Sequence, residues 1–84
     1  MPGLSLYKTS WCSFCVRVLS VIDELELPVE LRDIDSDVVA REQLQAATGR
    51  TTVPCLRIES EGSAVTWMHE SRDIIGYLRE VAVA

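Results

Sequence analysis

The chain predicts an α/β fold: a four-stranded mixed sheet with helices on its faces, in the order β-α-β-α-β-β-α. Three observations predict it. An apolar strand pattern at residues 4–7 gives way at Ser13 to helical spacing, and a second strand pattern follows, so the first two strands are parallel through a right-handed crossover. The turn Ser60-Glu61-Gly62-Ser63 is too short for a crossover, so the last two strands are antiparallel. Finally, 84 residues with 48% hydrophobic and 25% charged content supply one modest core, which makes residues 1–84 a single domain.

The elements follow in order. Leu4 and Leu6 mark the first strand. Cys15, Val18, Leu19, Ile22 and Leu25 share one face of the first helix, which Pro28 ends. Val29-Glu30-Leu31-Arg32-Asp33-Ile34 largely alternates apolar and charged residues, as a strand with one buried face does. Asp35, Ser36 and Asp37 cap a second helix through Thr48, and Gly49 stops it. Pro54 precedes a strand at 55–59, and the turn leads to a fourth strand at 64–68. Ser71 is the expected N-cap of the last helix, with Ile74, Ile75, Leu78 and Val81 as its apolar side. No linker, repeat or low-complexity tract interrupts the pattern.

Charge and cysteine usage narrow the function. A net charge of -5 argues against a generic nucleic-acid or anionic-membrane binder, since both need a basic footprint. No apolar run approaches the roughly 20 residues that span a bilayer, and the first residues lack the charged head and apolar stretch of a secretory signal. Three cysteines is the wrong arithmetic for a disulfide-stapled secreted scaffold. A reducing, cytoplasmic compartment is expected, with the close-spaced pair acting as a catalytic dithiol.

That pair is Cys12-Ser13-Phe14-Cys15, lying between a strand and a helix. Two thiols three positions apart at the first turn of a helix can meet as a disulfide. The outer one sits where the helix's free N–H groups and positive dipole end favour a thiolate. Cys12 is therefore the candidate nucleophile, with Lys8 upstream as a cationic neighbour, and Cys15 the more buried resolving thiol. Two blander readings stay open. The cysteines can be ordinary buried side chains, or Cys12, Cys15, Cys55 and His69 can form a Cys₃His zinc inventory that lacks a second close-spaced pair. Cys55 reads as a small core hydrophobe or a redox-responsive third thiol, and His69, Trp67 and Met68 as structural. Val53-Pro54 stands before a strand. A trans bond is the ordinary expectation there, whereas a cis bond would leave the Val53 main chain open to an extended peptide.

Taken together, Tyr7-Lys8-Thr9-Ser10-Trp11-Cys12-Ser13-Phe14-Cys15-Val16-Arg17, then Gly49-Arg50-Thr51-Thr52-Val53-Pro54, then Glu70-Ser71-Arg72-Asp73-Ile74 resemble a glutaredoxin of dithiol type, within the thioredoxin-like superfamily. The resemblance spans almost the whole chain. It implies the thioredoxin-like fold, a cis Pro54, and electron transport by glutathione-dependent thiol–disulfide exchange. It implies a glutathione groove in which Val53 pairs through its backbone with the tripeptide, Thr52 and Phe14 flank it, and Glu70 and Ser71 hold its γ-glutamyl end. Lys8 and Pro54 belong to the same set. A helix N-terminus with a hydroxyl suits a carboxylate, and Glu70 suits an ammonium.

The chain departs from many glutaredoxins in three places. Ser13-Phe14 replaces Pro-Tyr, Lys8 lies one residue further from the first cysteine, and His69-Glu70 replaces a pair of glycines. Glu70-Ser71 instead resembles the N-terminal domains of glutathione transferases. The expected activity is reduction of protein disulfides and glutathionyl mixed disulfides by a monomer. The alternative is a [2Fe–2S] carrier, with Cys12 and glutathione ligating the cluster between two protomers, since Ser13 removes a proline that would crowd it. A third reading is a transferase-derived binding module without thiol turnover. The presence of both cysteines, and the few residues after Leu78, weigh against it.

Overall fold

Alternation of side chains along β1 (Gly3–Lys8) divides the molecule into two apolar layers. Leu4 and Leu6 face one side, where Val18, Val21 and Ile22 of α1 (Ser13–Leu25) and Ile74 and Leu78 of α3 (Ser71–Val83) close over them. Tyr7 faces the other and meets Ala40 and Leu44 of α2 (Val38–Thr48). β3 (Cys55–Glu59) divides the same way, with Leu56 and Ile58 in the first layer and Cys55 in the second. This computed structural model describes residues 3–10, 12–60, 62 and 64–83.

With β2 (Val29–Asp33) and β4 (Thr66–Met68), the strands form one sheet in the order β2-β1-β3-β4. β1 and β2 are parallel, pairing Lys8 with Asp33; β1 and β3 are antiparallel, pairing Tyr7 with Cys55; β3 and β4 are antiparallel, pairing Leu56 with Met68. The expected mixed sheet is therefore present. The register has a consequence for chemistry. The end of β1, the start of β3 and the end of β4 all reach the same edge, so the segments carrying Cys12, Val53 and His69–Ser71 converge there.

Local signals explain most of the boundaries. Asp37 caps α2 by accepting the Ala40 N–H at 3.2 Å, and Gly49, at φ 78°, ends it by donating its N–H to the Gln45 carbonyl at 2.8 Å. α1 stops at Leu25, earlier than Pro28 requires. Glu26 adopts a left-handed conformation, φ 52°, and Leu27 N–H reaches back to the Ile22 carbonyl at 3.2 Å, closing the helix end as a glycine commonly does.

Three expectations are corrected. The alternating β2 pattern does not mark a well-buried face: Leu31 is 51% exposed, because β2 is an edge strand and the helical layer does not extend over it. β4 begins at Thr66 rather than 64, since its pairing with β3 runs only from Ile58–Thr66 to Leu56–Met68. Ser71 is the first residue of α3 rather than its cap; the Glu70 carbonyl accepts the Ile74 N–H at 2.9 Å, which makes Glu70 the capping position. The buried face of α1 also differs from its predicted stripe: Val21 is buried while Leu19 and Leu25 are half-buried, because the helix is covered by both the sheet and α3. Of the expected turn at 60–63, Glu61 and Ser63 lie outside the described residues, as does Trp11; Gly62 has φ 76°, a left-handed turn conformation.

Candidate active site

Cys12 is the N-cap of α1. Its backbone is extended (φ -88°, ψ 117°), and its sulfur accepts the Cys15 N–H at 3.3 Å. A sulfur in this place takes one of the four N–H groups that a helix leaves free at its start, and lies at the positive end of the helix dipole. Cys12 is half-buried, and its thiol also reaches the Val53 carbonyl at 3.8 Å, a weak S–H···O contact that an incoming acceptor can displace. The Val53 main chain is thus engaged by the candidate nucleophile itself. The Val53–Pro54 bond is cis.

Cys15, one turn further in, is fully buried and beside Cys12. Burial pushes its thiol up to about 11; a hydrogen bond to the Thr9 main chain works against this, Cys12 adds to it, and the Lys8 charge opposes it. One thiol is reachable and the other is sealed and protonated at neutral pH. This asymmetry is what an attacking and a resolving thiol require.

Lys8 does not join the groove residues. Its ammonium bonds the Asp33 carboxylate at 3.4 Å, across the parallel β1–β2 pair, and Ser10 donates to the same oxygen at 3.3 Å. The Asp35 N–H at 2.9 Å, with Lys8 and Ser10, holds the Asp33 carboxyl below the usual range. Lys8 reaches the Cys15 thiol by its charge, as a fixed cation at the end of β1.

Phe14, Thr52, Val53, Pro54, Glu70 and Ser71 line one cleft of about 210 Å³ together with Arg50 and His69. Six of the seven predicted binding residues are thus brought together, and Phe14 is 56% exposed at the rim. Arg50 and Glu70 take no part in an ion pair among the described residues, so the cleft offers both signs of charge to a ligand. A larger hollow of about 490 Å³ between α2 and Trp67 contains no cysteine, and size does not locate the chemistry.

Sequence reasoning missed Arg50 and His69 as cleft residues. Arg50 stood inside the quoted Gly49–Pro54 stretch, one place beyond the Gly49 stop, and that was its only signal. His69 read as structural, yet it continues β4 into the cleft wall, with Nε2 3.9 Å from Cys55 Sγ. Cys55 is fully buried beneath it, and burial pushes its thiol up to about 11. Among the described residues no three His, Cys, Asp or Glu side chains come together as a metal site. No helix among them is long and apolar enough to cross a membrane.

The glutaredoxin family model matches residues 4–62. The chain belongs to the glutaredoxin family. A Mycobacterium tuberculosis protein whose name places it among the glutaredoxins is 29% identical over 65 residues, 76% of each chain. Among solved structures, the maleylacetoacetate isomerase of Anaeromyxobacter dehalogenans 2CP-1, with dicarboxyethyl glutathione and citrate bound in its active site, is 30% identical with a TM-score of 0.72. The match covers 98% of this glutaredoxin and 38% of the isomerase. The thioredoxin-like protein BC3987 is 22% identical with a TM-score of 0.72, over 94% of this chain and 97% of that one, which is a likeness of fold. The fold of this family member is thioredoxin-like.

Proposed function

We propose that this glutaredoxin is a glutathione-dependent thiol–disulfide oxidoreductase. The observation that carries the reading is the position of Cys12: its sulfur caps α1 and lies 3.8 Å from the Val53 carbonyl, whose residue lines the cleft holding Arg50, Glu70 and Ser71. Glutathione is a tripeptide with a carboxylate at each end, an ammonium and a thiol. The start of α3 suits the γ-glutamyl carboxylate, Glu70 its ammonium, and Arg50 the carboxylate at the other end. That arrangement directs the ligand's sulfur toward Cys12. The isomerase with a bound glutathione conjugate supports the same ligand class.

In this reading the Cys12 thiolate attacks the glutathione sulfur of a mixed disulfide; a Cys12–glutathione disulfide forms, and the substrate thiolate leaves and takes a proton. A second glutathione thiolate then attacks that glutathione sulfur, releasing oxidised glutathione and the Cys12 thiolate. With a protein disulfide, Cys12 first forms a mixed disulfide with the protein. Cys15 gives up its proton and displaces the protein thiol, and the resulting Cys12–Cys15 disulfide is reduced by two glutathiones. Cleavage of a glutathionylated peptide, driven in turn by glutathione and by thioredoxin reductase, tests the reading. Turnover with glutathione is expected; turnover with the reductase alone would overturn it.

A second reading is a cluster-bridged dimer. Cys15 and Cys55 are sealed, so Cys12 is the single reachable thiol that each protomer offers, and glutathione would supply the remaining thiolates. Phe14 and Val16, 56% and 58% exposed beside it, are the apolar surface that a second protomer would cover. Anaerobic reconstitution with iron, sulfide and glutathione, read by visible absorption and size, tests it; a colourless monomer disposes of it.

A further inference from the structure

His69 is the single histidine of the chain, and packing alone does not account for its surroundings. It stands in the cleft wall with Arg50 and Glu70. Nε2 lies 3.9 Å from Cys55 Sγ, while Nδ1 is closed off from solvent with no hydrogen-bond partner among the described residues. The groups that face the ring come from every neighbouring element: Cys55 from β3, Arg50 and the Thr52 main chain from the segment before β3, and Glu70 from the start of α3.

These groups set the ring's charge. Burial holds the His69 pKa below its ordinary 6.5 and the Arg50 guanidinium lowers it further, while the Thr52 main chain and the Glu70 carboxylate work the other way. Cys55, pushed up to about 11, stays neutral through this range. The ring is therefore neutral chiefly because it is desolvated and because an unneutralised guanidinium stands beside it. The guanidinium's share is the one that a ligand carboxylate changes. A carboxylate placed on Arg50 cancels the cationic field and adds a negative charge beside the ring.

We propose that ligand binding in the cleft is proton-linked: a carboxylate entering beside Arg50 brings a proton from solvent onto His69, so the cleft holds an anionic ligand more tightly as the pH falls. The inference rests on the glutathione reading of the cleft and adds to it a requirement for a free carboxylate at the Arg50 end. By linkage the coupling is reciprocal: the ligand favours the imidazolium, and the imidazolium favours the ligand. Ligand carboxylates titrate near pH 4 and below, so between pH 5.5 and 8 they keep their charge.

The test uses the intact protein and S-methylglutathione, which keeps both carboxylates and cannot enter disulfide exchange. With one histidine, its ring signals in a ¹H–¹³C NMR titration need no assignment by mutation. Saturating ligand is expected to move the His69 midpoint upward, and the Kd to fall about three- to tenfold from pH 8 to pH 5.5. Calorimetry in two buffers of different ionisation enthalpy should show proton uptake. The ligand esterified at its glycyl carboxylate, and Arg50→Gln with the unmodified ligand, should each leave the midpoint where it stands in the corresponding free protein. A ligand that binds with the His69 midpoint unmoved overturns the linkage and leaves the glutathione reading standing. An equal midpoint change with the ester overturns the role of Arg50. No binding of S-methylglutathione at millimolar concentration overturns both.

Discussion

The Cys12 thiol and the Val53 carbonyl, 41 positions apart in the chain, meet at 3.8 Å. The contact joins the candidate nucleophile at the start of α1 to the segment that forms the cleft wall, and the β1–β3 pairing brings those two segments to the same edge of the sheet. The same edge separates the two cysteines by environment, with Cys12 half-buried and Cys15 sealed.

Their roles separate by substitution. Cys12→Ser is expected to lower turnover of every disulfide substrate by at least about a thousandfold, since no other reachable thiol replaces it. Cys15→Ser keeps at least about half of the activity on glutathionylated peptides and loses more than about tenfold on protein disulfides, whose release needs the resolving thiol. Steady-state assays on both substrate classes check this. Equal and total loss in the two variants would refute the assignment.

Lys8 acts on the Cys15 thiol through its charge, and Asp33 neutralises part of that charge. Asp33→Asn exposes Cys15 to the full cation and should speed closure of the Cys12–Cys15 disulfide about two- to threefold at pH 7, while Lys8→Met slows it by a similar factor. The pH–rate profile of ring closure is the measurement. Its midpoint moves to lower pH in the first variant and to higher pH in the second; movement in one direction in both would rule out an electrostatic role.

The buried thiols make the reduced protein sensitive to alkali. Cys15 and Cys55 are each raised from an ordinary 9.0 to about 11 in the folded chain, so their contribution is complete below pH 9 and is lost as pH rises through 11. Near pH 10 unfolding releases roughly two protons, and burial of Tyr7 and Tyr77 extends the loss upward. Denaturant midpoints from pH 8 to pH 11 should fall steadily, and about half as steeply from these thiols in Cys55→Ala. An unchanged slope in that variant would show that Cys55 carries no such share.

Glu26 holds a left-handed conformation at the end of α1 that costs a residue with a side chain about 1 kcal/mol relative to glycine. Glu26→Gly should therefore stabilise the protein by about 0.5 kcal/mol at most, after the added freedom of glycine in the unfolded chain is subtracted, and raise Tm by a few degrees. Thermal melts decide it, and a lower Tm would contradict the argument.

Much of the fold was legible because its signals are local. Asp37 and Gly49 each act within one helical turn, and the short connection after β3 admits only an antiparallel partner. The thiol pair was legible for the same reason, since strand–Cys12–Cys15–helix is a pattern of neighbours. Leu31 was misread because alternation shows that a face is apolar and not whether anything covers it. Ser71 was misread by one position because its hydroxyl makes it the better cap by residue type, whereas which carbonyl starts the helix depends on where β4 delivers the chain.

The sequence by itself determined the element order, the mixed sheet and which two thiols meet at the start of a helix, because periodicity, caps and turn length are set by residues a few positions apart. Only the tertiary structure decided that Lys8 spends its charge on Asp33, that Arg50 and His69 share the cleft with Val53 and Ser71, and that Cys55 lies sealed beneath the imidazole. Those relationships cross the sheet register, where separations of tens of residues along the chain become a few ångströms. Burial and neighbouring charge, which set the ionisation of each group, exist only after that register has formed.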